Sequence, residues 1–308
     1  MALTSILALT DFSRDGDRAL ARAGEIARGH HAVLRIMYQP SGTHPECLDP
    51  DTRLVQTAAA MARRLGLTVR AVGTGDYSRN NILLQAEKAK LLVLPLRSEQ
   101  GVLGPWFAGP DAIRFARDCR CPVLLVRGAV QRRLQQIIVG VDLTSASHHR
   151  AKFACLLDRD AEVELFHAVS TFDERPLRAG EVDRQVSHRY RDNRLEQEAR
   201  AKLERMTQSL PSQAVPVVSL APIGEQVEHL MARLALTDAD LVVVGKSRRH
   251  AAVDWLLGST AHDLLAQSPC DVMVVPNDFT VSATGAPVPH FRPLPVRKQA
   301  AWPAPWSQ

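Results

Sequence analysis

Short, continuous runs of apolar residues alternate along the chain with longer segments in which apolar residues recur every three to five positions. Such runs, when flanked by turn residues, are typical of parallel strands covered on both faces, and the longer spacing is typical of amphipathic helices. The alternation predicts an α/β fold with two tandem, doubly wound, parallel five-stranded sheets. In the second half, strands are predicted near 136–141, 162–169, 214–220, 240–244 and 271–275, and a helix near 190–209 carries the stripe Leu195, Ala199, Leu203, Met206 and Leu210.

The chain repeats this pattern once. The run "SILALTDFS" ends at Asp11, and the similar run "QIIVGVDLTS" ends at Asp142. Each acid is followed by a small hydroxylic residue that opens a helix, so Ser13 and either Thr144 or Ser145 are predicted N-caps. Two copies of one structural unit are the organisation that the sequence supports.

The copies also match near their ends, where residues 90–127 align with residues 240–276. We therefore expect a first domain over 1–127, a second over 134–279, and a proline-rich tail over 280–308 that is extended or disordered. The matched pairs are Trp106 with Trp255, Gly109 with Gly258, and Cys121 with Cys270.

The last strand of each copy is apolar between its end residues and lacks the charges that usually protect an exposed sheet edge. These strands are "PVLLVR" (122–127) and "DVMVVP" (271–276). Because only residues 128–133 link one copy to the next, the two strands are predicted to face each other across a pseudo-twofold axis within one chain.

Composition narrows the classes of function. The net charge of +5 comes from basic residues scattered among acidic ones, which does not indicate a nucleic-acid-binding face. The opening residues lack the features of a signal peptide, and no window approaches the roughly 20 apolar residues of a membrane span. The five cysteines are sparse and odd in number, which suits a reducing cytoplasm, so a cytoplasmic location is expected.

A Gly-Lys-Ser triplet at residues 245–247 has the end of a Walker A loop but not its beginning. That loop needs a glycine five positions earlier and a glycine-rich turn, whereas Asp240 and a Leu-Val-Val-Val strand stand there. The triplet is therefore not a P-loop.

A different anion site is conceivable in the same segment. Gly245 ends a strand, a loop of about a dozen residues follows, and Gly258-Ser259-Thr260 opens a helix. Ligands of open α/β sheets lie beyond the carboxyl ends of strands, and helix N-termini attract phosphates. Residue chemistry alone leaves two interpretations open: a phosphate site, or an ordinary N-cap beside a tight turn.

At this point the pattern resembles the universal stress protein family in its tandem form, over residues 3–127 and 134–276. Nucleotide-binding members carry Gly-x2-Gly-x9-Gly-Ser/Thr after the fourth strand, and this chain keeps Gly245, Gly258 and Ser259 at that spacing. The resemblance implies a Rossmann-like, adenine nucleotide alpha hydrolase-like fold. It also implies binding of ATP with Mg²⁺.

The family's nucleoside-contacting acid matches Asp142, and its second strand is similar to "VELFHAV" (163–169), which contains His167. By this resemblance, Gly245 and Gly258 would let the backbone approach phosphates, and Ser259 and Thr260 would donate to terminal phosphate oxygens.

The chain departs from the family motif at Arg248, which replaces the second glycine. An arginine would be strained by about 1 kcal/mol if the position needs a positive φ. A guanidinium is nevertheless a strong phosphate partner, and Lys246 and Arg249 make the same loop basic.

The first copy departs further, with Pro95, Ser98 and Pro110 in the motif positions. The first copy is therefore expected to bind no nucleotide and to serve as a packing partner.

No spacing of His, Cys or carboxylate residues points to a metal site or to catalysis. The leading hypothesis is a cytoplasmic stress-response protein that binds ATP in its second domain and acts through conformation or partner binding, with at most slow ATP hydrolysis. The alternative is a nucleotide-free interaction or scaffold protein, with a protein partner or self-association, in which both loops have decayed. Pro95, Pro110 and Arg248 motivate that alternative.

Overall fold

A computed structural model describes residues 3–40, 47–96, 110–128, 133–171, 184–211, 214–222, 225–246, 264–265 and 267–280. The first copy contains β1 (Ser5–Thr10), α1 (Arg14–His30), β2 (Val33–Tyr38), α2 (Pro50–Leu65), β3 (Val69–Ala71), α3 (Arg79–Ala86), β4 (Leu91–Pro95), α4 (Pro110–Asp118) and β5 (Val123–Val126). The second contains β6 (Gln136–Gly140), α5 (Ser145–Leu157), β7 (Glu162–Thr171), α6 (Arg184–Thr207), β8 (Ala214–Pro222), α7 (Gln226–Thr237), β9 (Leu241–Lys246) and β10 (Asp271–Pro276).

All ten strands form one sheet, in the order β3-β2-β1-β4-β5-β10-β9-β6-β7-β8. Strands within each copy are parallel, and each copy has the same internal order of a doubly wound fold. The predicted five-stranded sheets are thus present, joined edge to edge into a continuous sheet. The predicted strands of the second copy and its helix around 190–209 are confirmed, and the tail prediction lies outside the described residues except for its first residue.

The two copies meet through an antiparallel pairing of β5 with β10, which confirms the predicted contact between the fifth strands. The pairing is Val272 with Leu125, Met273 with Leu124, and Val274 with Val123. Every residue of both strands is buried. Two apolar edges, each of which would otherwise expose unpaired backbone groups, therefore satisfy one another.

Helices cover both faces of the sheet, and the core on each face runs across both copies. One face packs under α1, α2, α5 and α6, and it includes Ala19 and Phe153 in one continuous cluster. The other packs under α3, α4 and α7, with Phe115 of the first copy and Leu230 of the second in another. Shared cores of this kind make the copies one folded body.

Polar contacts reinforce the same boundary. Asp271, at the start of β10, accepts from Arg22 Nε at 2.9 Å and from the backbone N–H of Arg127 at 2.9 Å. Burial raises the pKa of Asp271, although the Arg22 charge and the backbone donors oppose that rise. His30 of α1 also lies 2.9 Å, at Nε2, from the carbonyl oxygen of Leu157 in α5. These bonds join the first copy to the second on one face of the sheet.

We expect Leu125→Lys to lower the free energy of unfolding by about 3 kcal/mol, because it places an unpaired ammonium in the buried contact between β5 and β10. Hydrogen exchange should show the greatest loss of protection in those two strands. The matched control is Val215→Lys on β8, where the native side chain is 59% exposed and a charge remains in water. Unchanged protection of β5 and β10 in Leu125→Lys would contradict the arrangement.

Candidate functional site

The strand order creates a crevice at the carboxyl ends of β6 and β9. These strands pair in parallel, with Val139 opposite Val243. The chain continues from β6 to β7 on one side of this pair and from β9 to β10 on the other. Asp142 follows β6 by two residues, and Gly245 is the second-last residue of β9. The fold therefore brings these two predicted residues to the switch point, where open α/β sheets bind ligands.

A tight turn orients Asp142 at this crevice. Its Oδ1 accepts from the backbone N–H of Thr144 at 3.2 Å and from the Thr144 hydroxyl at 2.6 Å. Thr144 in turn caps α5 by accepting from the N–H of Ser147, so of the two predicted N-caps it is Thr144 that performs this role. Burial would raise the pKa of Asp142, but hydrogen bonds from Thr144 and the charge of Arg150 outweigh it, and the pKa is lowered. The carboxylate is ionised at neutral pH.

The first copy has the same turn. Asp11 Oδ1 accepts from the N–H of Ser13 at 3.1 Å and from its hydroxyl at 2.5 Å. The following residues, Phe12 and Leu143, both have a left-handed backbone, with φ of 59° and 60°. Because both copies build this turn, the acid and its turn do not by themselves distinguish a binding copy from a non-binding one.

His167 of β7 reaches back toward the end of β6. Its Nδ1 lies 2.8 Å from the carbonyl oxygen of Val141, and a carbonyl only accepts, so Nδ1 carries the proton in this contact. Burial lowers the pKa of His167, against smaller opposing effects of this bond and of Asp142. The ring is therefore neutral at neutral pH, and its Nε2 is an acceptor beside the crevice.

Sequence reasoning missed Arg150, which projects from the second turn of α5 into this region. Only 5% of the residue is exposed, and its Nη1 donates to the carbonyl oxygen of Gly140 at 2.7 Å. Burial lowers the pKa of Arg150 to about 10, with Asp142 acting in the opposite direction. The crevice thus contains a guanidinium that stays protonated at neutral pH.

Arg150 also explains why a glycine stands at position 245. A Cβ built on Gly245 would overlap the Arg150 guanidinium. The first copy has Ala19 at the position of Arg150 and Pro95 at the position of Gly245. The difference between the copies at these two positions is the signal that the sequence contains. It can be interpreted only when the structure shows that α5 contacts the end of β9.

Lys246 is placed beside the other copy. Its ammonium donates to the carbonyl oxygen of Cys119, at 3.1 Å, in the turn that precedes β5. Because β10 runs antiparallel to β5, the carboxyl end of β9 lies next to this turn. The predicted contact of Lys246 with a phosphate stays a prediction, and the described geometry gives the lysine a contact between copies.

The remaining predicted site residues, Arg248, Gly258, Ser259 and Thr260, lie outside the described residues. In the first copy, β4 ends at Pro95, and Pro110 is the first residue of α4. A proline there supplies no backbone N–H to an anion.

Among the residues that the structure describes, no group of three or more His, Cys, Asp or Glu side chains could hold a metal ion. No helix in that part of the chain is long and apolar enough to cross a membrane.

A family model described as the universal stress protein family matches residues 3–127 and again residues 133–276. A search of the curated proteins finds no similar sequence.

Several solved structures are similar to this chain, and the first two below share its fold. A universal stress protein from Archaeoglobus fulgidus DSM 4304 is 14% identical, with a TM-score of 0.60, and the match covers 89% of this chain and 98% of that one. A functionally unknown protein from Pseudomonas aeruginosa PAO1 is 21% identical, with a TM-score of 0.63 and coverage of 89% and 93%. A universal stress protein in complex with cAMP is 17% identical, with a TM-score of 0.33 and coverage of 48% and 100%.

The substitution Gly245→Ala should lower the free energy of unfolding by about 1–3 kcal/mol, because its methyl group would displace a buried guanidinium. In an Arg150→Ala background the same change should cost at least about 1 kcal/mol less, as chemical denaturation of the four proteins would measure. Gly140→Ala in neighbouring β6 is the control, since its Cβ would meet only ordinary contacts of 3.7 Å and longer. Additive effects of the two substitutions would contradict the packing of Arg150 against Gly245.

Proposed function

The chain belongs to the universal stress protein family, and on that premise we propose that its second copy binds an adenine nucleotide, ATP with Mg²⁺. The protein would act in the cytoplasm during stress, through a conformational change or a protein partner. One protein of this family has been solved with cAMP, which is an adenine nucleotide.

The observation that carries this proposal is the crevice between β6 and β9. It combines an ionised carboxylate at Asp142 with a protonated guanidinium at Arg150, beside the carboxyl ends of two parallel strands. A nucleotide has complementary groups, because its ribose hydroxyls donate to a carboxylate and its phosphates accept from a guanidinium. The neutral ring of His167 adds an acceptor suited to the adenine amino group, and β7 around 166–168 would lie along the base.

The outer phosphates would be held by the segment that follows β9. There the sequence motif supplies Gly258, Ser259 and Thr260, and the basic side chains Lys246 and Arg248 add positive charge. Backbone N–H groups at a helix N-terminus suit phosphate oxygens, and Mg²⁺ would neutralise part of the triphosphate charge.

The first copy would bind no nucleotide. Its crevice has Ala19 in place of Arg150. Pro95 stands at the position of the first motif glycine, and Pro110 stands at the position of the hydroxyl residue that follows the last one. The chain would therefore hold one nucleotide, with the first copy acting as the fixed partner of the sheet.

A second candidate is a nucleotide-free interaction protein. Two contacts favour it: Arg150 fills the space beside Gly245, and Lys246 is bonded to the Cys119 carbonyl oxygen. Mass spectrometry of small molecules released from gently purified protein separates the candidates, because only the first predicts an adenine nucleotide.

Isothermal titration with Mg-ATP tests the leading proposal. The wild type should bind, and Gly258→Asp should abolish the heat, because a carboxylate would then face the phosphates. Gly109→Asp, at the matching position of the first copy, is the control and should leave binding unchanged. No heat from the wild type at high micromolar nucleotide would overturn the proposal.

A further inference from the structure

Two arginines of the described residues are buried, and their surroundings differ. Arg22 contacts Asp271 at 2.9 Å and Glu25 at 3.0 Å, so carboxylates neutralise it. Arg150 makes its hydrogen bond to the neutral carbonyl of Gly140, and Asp142 attracts it without forming an ion pair. Among the described residues, no carboxylate forms an ion pair with Arg150.

An arginine in this condition is unusual. Its guanidinium carries five N–H donors in a planar fork, and a buried charge ordinarily has an oppositely charged partner. Here the described residues accept from Nη1 alone. The guanidinium lies against Gly245 in β9 and donates to Gly140, the last residue of β6, so the remaining donors lie where these two parallel strands end.

The arginine is present in the second copy, for which nucleotide binding is proposed, and absent from the matching position of the first. The Arg150 guanidinium occupies the space that a side chain at position 245 would fill, and the first copy has neither the arginine nor the glycine, with Ala19 and Pro95 in their places. The acid turn is unchanged between the copies, as Asp11 and Asp142 show. Among the described differences between the two crevices is therefore one buried positive charge, Arg150.

We propose that Arg150 binds the phosphate attached directly to the ribose of the nucleotide. This inference rests on the proposed function and specifies the residue that selects nucleoside phosphates over nucleosides. Asp142 and Arg150 lie in the same crevice, so a ribose on the first and its own phosphate on the second fit a single small ligand. A planar guanidinium can donate two parallel bonds to one phosphate, which a lysine cannot do.

The test compares Arg150→Met and Arg150→Lys with the wild type in titrations with adenosine, AMP and Mg-ATP. Methionine keeps much of the length of the side chain without its charge, and lysine keeps the charge without the fork. Arg150→Met should weaken binding of AMP and ATP by about 10- to 100-fold and leave adenosine unchanged. Arg150→Lys should show an intermediate loss. Arg194→Met removes an exposed arginine of α6 and should change none of the three affinities.

Two results would overturn the inference while keeping the proposed function. One is equal affinity of wild type and Arg150→Met for AMP and ATP. The other is tighter binding of all three ligands by Arg150→Met, which would make Arg150 a plug. Failure of the wild type to bind any nucleotide would instead overturn the proposed function. In that case thermal unfolding with pyrophosphate decides: stabilisation of the wild type but not of Arg150→Met supports an anion site, and no stabilisation refutes it.

Discussion

The antiparallel pairing of β5 with β10 is the constraint on which the rest of the molecule depends. It unites two parallel half-sheets whose apolar edges would otherwise be exposed, and it continues the core of each face from one copy to the other. It also directs the carboxyl ends of the two sets of strands toward opposite edges of the sheet. The two crevices therefore open away from each other, and each lies beside a turn of the other copy.

In that arrangement, both copies contribute residues around the candidate crevice. The Cys119 carbonyl, which belongs to the first copy, accepts from Lys246 at the end of β9. Asp271, at the other end of the adjoining strand, holds Arg22 and the backbone of Arg127. The carboxyl end of β9 and the start of β10 thus both contact the first copy.

Much of the fold could be predicted because it depends on local patterns. Apolar runs predicted the strands, the hydroxylic residues Ser13 and Thr144 predicted the helix starts, and the apolar fifth strands predicted the contact between copies. Arg150 could not be predicted, because its importance comes from a contact with Gly245, 95 residues away in the chain, that exists only after folding. Lys246 was assigned to phosphate from its neighbours in sequence, whereas its described contact depends on the orientation of the other copy. The strand order places His167 of β7 near Asp142, which follows the neighbouring strand β6.

We propose that the two copies of one scaffold differ at their crevices, so that the chain has one nucleotide site. Native mass spectrometry of the intact protein with Mg-ATP counts that site directly. We expect a complex with one nucleotide per chain that saturates without the addition of a second nucleotide. Two nucleotides per chain, or none, would contradict it.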